Sequence, residues 1–453
     1  MYDTVDEVLA HDVGDFLAVN GPDLLGRVQG YTDWRDARRK FAVWPYERTS
    51  RGEVGPSAEL TEGMSSISFG FQDSLGLSRH PRVRDAAIKA IEDHGPHSAS
   101  APFWQGRNIL ADEAADELRQ IAGMNHIVFF STGWAAAHAP IQALVRPWDY
   151  VVFDRLCHSS LMFGAQAATQ RRKSFRHNDI EHARERLAAI RADNTECGIL
   201  VVTESTFSVD ADYPDLAVLQ DCCHEYGATL LVDSSHDLGA MGPSGTGQVG
   251  AAGLYGKVDL LVSSFSKTFA FTGGFLATRS EAVANYVRLL GSAQMFSNSI
   301  TPVALGVVGE AARIVRSPEG DSRRARLQRN VERLRMGFEA AGIRVTGMLS
   351  PLVPVHVEPA SIIGPLGVEL LNRGLSANAV EFPAVARGTA RFRFQVMSDH
   401  TDEQIDRAVE IFMDAYEACG GTLVDLDLTA EEAASGLAGT MQGSSAKQLA
   451  ANV

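Results

Sequence analysis

Six short apolar runs alternate with helical stretches through the middle of this chain: HIVFF, YVVFD, GILVVTES, ATLLVDSS, VDLLVSSF and GGFLATR. Runs this short and this rich in Val, Ile and Leu read as strands buried on both faces. Helices between them make βαβ units and a mostly parallel sheet. In such a sheet ligands bind beyond the carboxyl ends of the strands. The polar residues that follow each run are therefore where chemistry is expected.

The flanks read differently. Residues 1–65 are polar and irregular, with Trp34 and Trp44 as anchors and helical spacing in VDEVLAHDVGDFLAVNG. They are expected to form an N-terminal arm, suited to wrap a partner subunit; a mobile leader is the bland alternative. The segment SSISFGFQDSLGLS predicts a strand and a turn that open a large domain over 66–302. RHPRVRDAAIKAIEDHG and RNILADEAADELRQIAG predict helices stopped at Gly95 and Gly123. From 303 to 425 two long helices, short strands (IRVTG, VPVHVE, ARFRFQVM) and a closing helix at about 402–419 predict a smaller α+β domain. The Ala/Gly/Ser-rich stretch 426–453 is expected to be a disordered tail.

Composition narrows the function classes. A length of 453 residues with 45% hydrophobic residues suits two domains with ample core. Lys and Arg number 41 against 56 Asp and Glu, so the net charge is 41 − 56 = −15. That sign argues against nucleic acid and anionic membrane as partners. The five cysteines are odd in number and form no CxxC pair. A disulfide scaffold and a metal site are both unexpected, and a cytoplasmic protein is the reading. No secretory leader and no membrane span are apparent.

Five strand ends carry candidate chemistry. In LLVSSFSKTFAFTGGF, Lys267 follows a buried strand, where a poorly hydrated amine is a nucleophile suited to a Schiff base. A surface lysine at a strand end is the bland reading. In ATLLVDSSHDLG, Asp233 ends a strand where a buried acid needs a partner such as a cationic ring nitrogen. His236 follows it; a helix cap is the alternative for Asp233. In FFSTGWAAAHAP a strand runs into a helix at Gly133, whose N-terminus suits an anion. This is neither a Walker loop nor GxGxxG. His158 in YVVFDRLCHSSL follows a strand and suits stacking on a flat ring, though a lone His is more often a satisfied core residue. Ser208 in VVTESTFSVDAD follows another. Together they form the inventory for pyridoxal 5'-phosphate (PLP).

With these motifs in order, the sequence resembles the α-oxoamine synthase family of fold-type-I PLP enzymes from about Ser68 to Cys419. That family includes serine palmitoyltransferase and amino-oxononanoate synthase. Quorum-sensing autoinducer synthases look similar at Gly133-Trp134, GPSGTG (242–247), HSASAPFWQG (97–106) and KTFA. The resemblance implies a seven-stranded-type, mostly parallel large domain and a smaller C-terminal α+β domain. It implies that Lys267 bears the cofactor and serves as acid–base, that Asp233 pairs with the pyridinium nitrogen, and that His236 and Ser208 bond the phenolic oxygen. His158 then stacks on one ring face and Ser235 lies against the other. Gly133, Trp134 and Ser264 hold the phosphate. Ser297, in MFSNSITP, reaches the neighbouring subunit's phosphate, which implies a homodimer with shared sites. Arg393 clamps the amino-acid carboxylate, with Arg391 on the same strand face as competitor. The sequence departs from the family pattern at Gln72-Asp73-Ser74, Ser234 and Ala137.

The reaction implied is a decarboxylative Claisen-type condensation of an α-amino acid with an acyl-CoA or acyl carrier protein thioester, giving an α-aminoketone. Another fold-type-I reaction, transamination or a lyase step, is the alternative. A degenerate PLP-fold binding protein is a third. The amino acid, the acyl length and the carrier stay open.

Overall fold

The computed structural model describes residues 2–17, 19–60 and 63–423, and the tail expected over 426–453 lies outside them. In chain order its strands are β1 (Ser57–Glu59), β2 (Ser65–Phe69), β3 (His126–Phe130), β4 (Tyr150–Asp154), β5 (Arg172–Phe175) and β6 (Ile199–Glu204). These are followed by β7 (Thr229–Asp233), β8 (Leu260–Ser264), β9 (Gly274–Thr278), β10 (Leu352–His356), β11 (Leu375–Val380) and β12 (Arg391–Gln395). The chain divides into two compact units. One comprises the chain up to Gln72, the segment Val209–Ala211 and the chain from Arg326 onward; the other comprises Asp73–Ser208 and Asp212–Ala325.

The second unit is built on a seven-stranded sheet in the order β3-β9-β8-β7-β6-β4-β5. Strand β9 runs antiparallel to β3 and β8, and the remaining pairs are parallel. The stretch between β8 and β9 is too short for the helical crossover a parallel pair needs, so the chain turns straight back. Every residue of β6, β8 and β9 is buried, as strands covered on both faces require. Strand β5 comes from the basic run QRRKSFR, which reads from sequence as a solvated stretch, with contact to a carrier's phosphate as the alternative. It is an edge strand on which Lys173 and Ser174 stay exposed, and charged residues there guard against edge-to-edge pairing.

The helices Pro81–His94 and Leu110–Ala122 end at Gly95 (φ 74°) and Gly123 (φ 70°), as expected. The helix Pro302–Val315 packs on both of them. It is apolar almost all round and therefore buried. That contact keeps it in the second unit, so the chain changes unit at Ala325/Arg326 and not near 302.

The first unit carries a five-stranded sheet, β1-β2-β11-β12-β10, in which only β2 and β11 are parallel. Strand β2, expected to open the large domain, belongs here. Of IRVTG only Val345 forms a bridge, to Val355. Strand β11 (LSANAV) goes unforeseen because Ser, Ala and Asn favour strands poorly. The N-terminal residues are tied into this unit. Trp34 donates its indole N–H to the Val8 carbonyl (3.0 Å). Arg38 lies against the Trp34 and Trp44 rings at 4.9 and 5.5 Å and pairs with Glu381 at 3.1 Å.

Candidate active site

Beyond β3 the chain turns through Ser131 and Thr132 into the helix Gly133–Leu144. The Thr132 hydroxyl accepts the Ala135 N–H (3.0 Å), and its carbonyl accepts the Ala136 N–H (3.1 Å). The amides of Gly133 and Trp134 are left at the positive end of the helix for an anion. A side chain at Gly133 would crowd Ser264. A Cβ would lie 2.5 Å from Ser264 Oγ and 2.7 Å from Ser264 Cβ.

Neighbouring strand ends supply the rest. At the end of β8, the Ser264 N–H donates to Ser235 Oγ (3.0 Å), and the Ser264 and Ser266 hydroxyls are bonded at 2.7 Å. Asp233 ends β7, is 7% exposed and accepts the Ser235 N–H (3.0 Å). No helix begins after it, which removes the cap alternative. His158 follows β4 as N-cap of the helix Ser159–Ala168. Its Nδ1 accepts the Ser160 N–H (3.3 Å) and meets the Ser160 hydroxyl (2.7 Å). The Trp134 ring stands edge-on to it at 6.1 Å.

Glu204, the last residue of β6, is one of three cavity residues that sequence reasoning missed, with Ser160 and Ser266. It sits in register with Asp233, is 3% exposed and accepts the His158 N–H (2.5 Å). Burial, reinforced by the Asp233 charge, lifts its carboxyl well above the usual range. Its signal in sequence is an acid at a strand end, the same signal used for Asp233.

These groups share one cavity of about 200 Å³, lined by Gly133, Trp134, His158, Ser160, Glu204, Asp233, Ser235, His236, Ser264, Ser266 and Lys267. Eight sequence-predicted residues are thus brought together. Ser208 lies in the turn after β6, and Ser297 is exposed before the helix Pro302–Val315; neither lines this cavity. Arg393 is on β12 of the other unit. The cavity suits PLP. It offers amides for a phosphate, a buried acid for a ring nitrogen and an amine for an aldehyde, and only a glycine leaves room at the phosphate end.

Comparison with known proteins agrees. Residues 66–412 match the family Aminotransferase class I and II. A serine palmitoyltransferase of Bacteroides ovatus is 31% identical over 87% of this chain and 99% of its own length. A putative 8-amino-7-oxononanoate synthase of Bordetella pertussis is 32% identical over 80% and 91%. Serine palmitoyltransferase from S. paucimobilis, solved with bound PLP–myriocin aldimine, superposes with a TM-score of 0.83 at 28% identity, covering 88% of this chain and 99% of that one. The chain belongs to the aminotransferase class I and II family and has the fold-type-I PLP-transferase fold. Within that class it is an α-oxoamine synthase, a PLP-dependent C-acyltransferase that catalyses decarboxylative condensation. PLP, when bound, supplies an electron sink for a carbanion.

Proposed function

We propose that this chain condenses an α-amino acid with an acyl-CoA or acyl carrier protein thioester to give an α-aminoketone, using the residues gathered at the strand ends. The observation that carries this reading is that Lys267, Asp233 and the uncapped amides of Gly133 and Trp134 line a single cavity. Lys267 bears the cofactor and moves the proton at the amino-acid α-carbon. Asp233 keeps the ring nitrogen protonated. His236 and Ser208 would donate to the phenolic oxygen, and His158 and Ser235 would hold the ring between them. The Gly133 and Trp134 amides and the Ser264 hydroxyl hold the phosphate.

Arg393 takes the substrate carboxylate, because a guanidinium fork matches it. Two facts support Arg393 over its competitor. Arg391 is buried and committed to Asp210 at 2.7 Å. Arg393 lines a cavity of about 540 Å³ shared with Trp34, Trp44, Tyr46, Val380, Asn378 and Glu381, a volume within the ~300–1,000 Å³ range of small-molecule sites.

The enzyme acts as a homodimer in which Ser297 reaches the neighbouring phosphate. Large side chains left open on one protomer support this: Phe296 is 83% exposed, Trp104 67% and Ile109 60%. It works in the cytoplasm, in keeping with five cysteines that are all free thiols. Among the described residues no helix is long and apolar enough to cross a membrane.

The test is thiol release from a series of acyl thioesters with each common amino acid, for the native chain and Lys267→Ala. One amino acid is expected to drive release that Lys267→Ala abolishes. Full turnover by Lys267→Ala would overturn the assignment.

A further inference from the structure

One charged cluster beside the cavity is built around a cation. Asp154, the last residue of β4, is fully buried. Its Oδ1 accepts the Leu156 N–H (2.9 Å) and faces His177 Nδ1 (2.9 Å), while its Oδ2 accepts the Asn178 N–H (2.8 Å). The other ring nitrogen of His177, Nε2, lies 3.0 Å from both Asp212 oxygens. The ring also stands edge-on to Phe207, 4.5 Å away at 88°. The Asn178 side-chain amide also lies 3.3 Å from Nε2, and a carboxylate at each ring nitrogen favours the imidazolium form, which can donate from both. Burial alone would lower its pKa, but the hydrogen bonds to Asp154 and Asp212 outweigh it and lift the value to about 10.

Each aspartate is tied by its carbonyl to a segment that carries a residue assigned above to the cofactor. The Asp154 carbonyl accepts the Cys157 N–H (3.0 Å), and the next residue is His158, on the cavity wall. The Asp212 carbonyl accepts the Phe207 N–H (2.9 Å), closing the turn that contains Ser208. A single cation therefore ties the loop that presents His158 to the turn that carries Ser208.

We propose that His177 is a positioning residue for the cofactor: bridging Asp154 and Asp212, it locks these two loops together and holds the His158 ring in its stacking place. The proposal rests on the assignment of His158 and Ser208 to the cofactor given above. A merely structural ion pair would support the fold and leave the cofactor's environment alone. Replacing one partner of such a pair strands the others, whereas removing opposite charges together relieves the conflict.

The experiment uses the full chain, stripped of PLP and retitrated, with thermal melting of the apo-protein and pH titration of the visible cofactor band. His177→Gln is expected to bind PLP at least tenfold more weakly, to shift the band titration and to melt lower. Asp212→Asn, which leaves the Asp154 contact in place, is expected to weaken PLP binding several-fold and shift the band in the same direction. The double variant His177→Gln/Asp212→Asn is expected to regain melting temperature but not PLP affinity. The proposal is overturned if His177→Gln keeps affinity and band titration within twofold of the native chain. It is equally overturned if the double variant recovers both properties together. Should His177→Gln fail to fold, Asp212→Asn decides: an unchanged affinity and band titration reject the positioning role.

Discussion

Gly133→Ala tests the phosphate end of the cavity at its tightest point. The added methyl would sit 2.5 Å from Ser264 Oγ and 2.7 Å from Ser264 Cβ, whereas carbon atoms rest at about 3.5–4.0 Å. Some 0.8–1 Å must therefore be found by movement. Ser264 is poorly placed to yield it. Its N–H is held by Ser235 Oγ (3.0 Å) and its hydroxyl by Ser266 (2.7 Å). Overpacking of this kind costs about 1–3 kcal/mol, or roughly 2–4 °C of melting temperature per kcal/mol in a unit of this size. The helix start moves with the methyl, and a displaced amide loses a charge-assisted bond to phosphate worth about 1.5–3 kcal/mol. PLP affinity is then expected to fall by roughly ten- to a hundredfold. The assay is PLP titration of the apo-protein beside thermal melting. Ser264→Gly removes both clashing atoms and leaves Ser264 Cα at 3.4 Å. The double variant should regain the melting temperature lost by Gly133→Ala. Native PLP affinity in Gly133→Ala would refute the reasoning, because the amides would then not be the anion site.

Other perturbations separate the remaining roles. Arg393→Ala is expected to raise KM for the amino acid by about tenfold or more, since a bond to a charged group is worth about 1.5–3 kcal/mol; Arg391→Ala should chiefly lower the melting temperature, and steady-state kinetics with calorimetry tell them apart. Glu204→Gln should be tolerated, because burial and Asp233 push the carboxyl upward, toward its neutral form, and Gln offers a neutral acceptor for the His158 N–H. Glu204→Ala should cost stability by about 1–3 kcal/mol, and equal losses in the two variants would show an ionised Glu204. For His177, the folded pKa of about 10 lies above the ordinary imidazole value of 6.5, so its stabilisation is complete below pH 6.5 and is lost as pH rises through 10. Urea midpoints should fall across that window, and His177→Gln should flatten the slope.

Much of the site was readable because parallel-sheet chemistry is written in contiguous text. Lys267, Asp233, His158 and Gly133 each follow an apolar run within a few residues, and the strand alone brings the side chain to the carboxyl edge of the sheet. Glu204 carries the same local signal, but nothing in TES distinguishes an acid inside the cavity from one outside it. Its meaning comes from lying in register with Asp233, 233 − 204 = 29 positions further along the chain. The choice between Arg391 and Arg393 was likewise closed to sequence, since alternation puts both on one face. Only the tertiary structure shows that Asp210 engages Arg391.

What the amino-acid sequence determined by itself was the alternation of strand and helix, the glycine stops at Gly95 and Gly123, and the order of the chemical groups. All of these depend on neighbours a few residues apart. Tertiary structure alone decided that β2 joins β11, that QRRKSFR closes the edge of the large sheet, and that His177 stands between Asp154 and Asp212. These depend on partners far apart in the chain. Local propensity is weak or contrary at such positions, and pairing and burial choose among the conformations it leaves open.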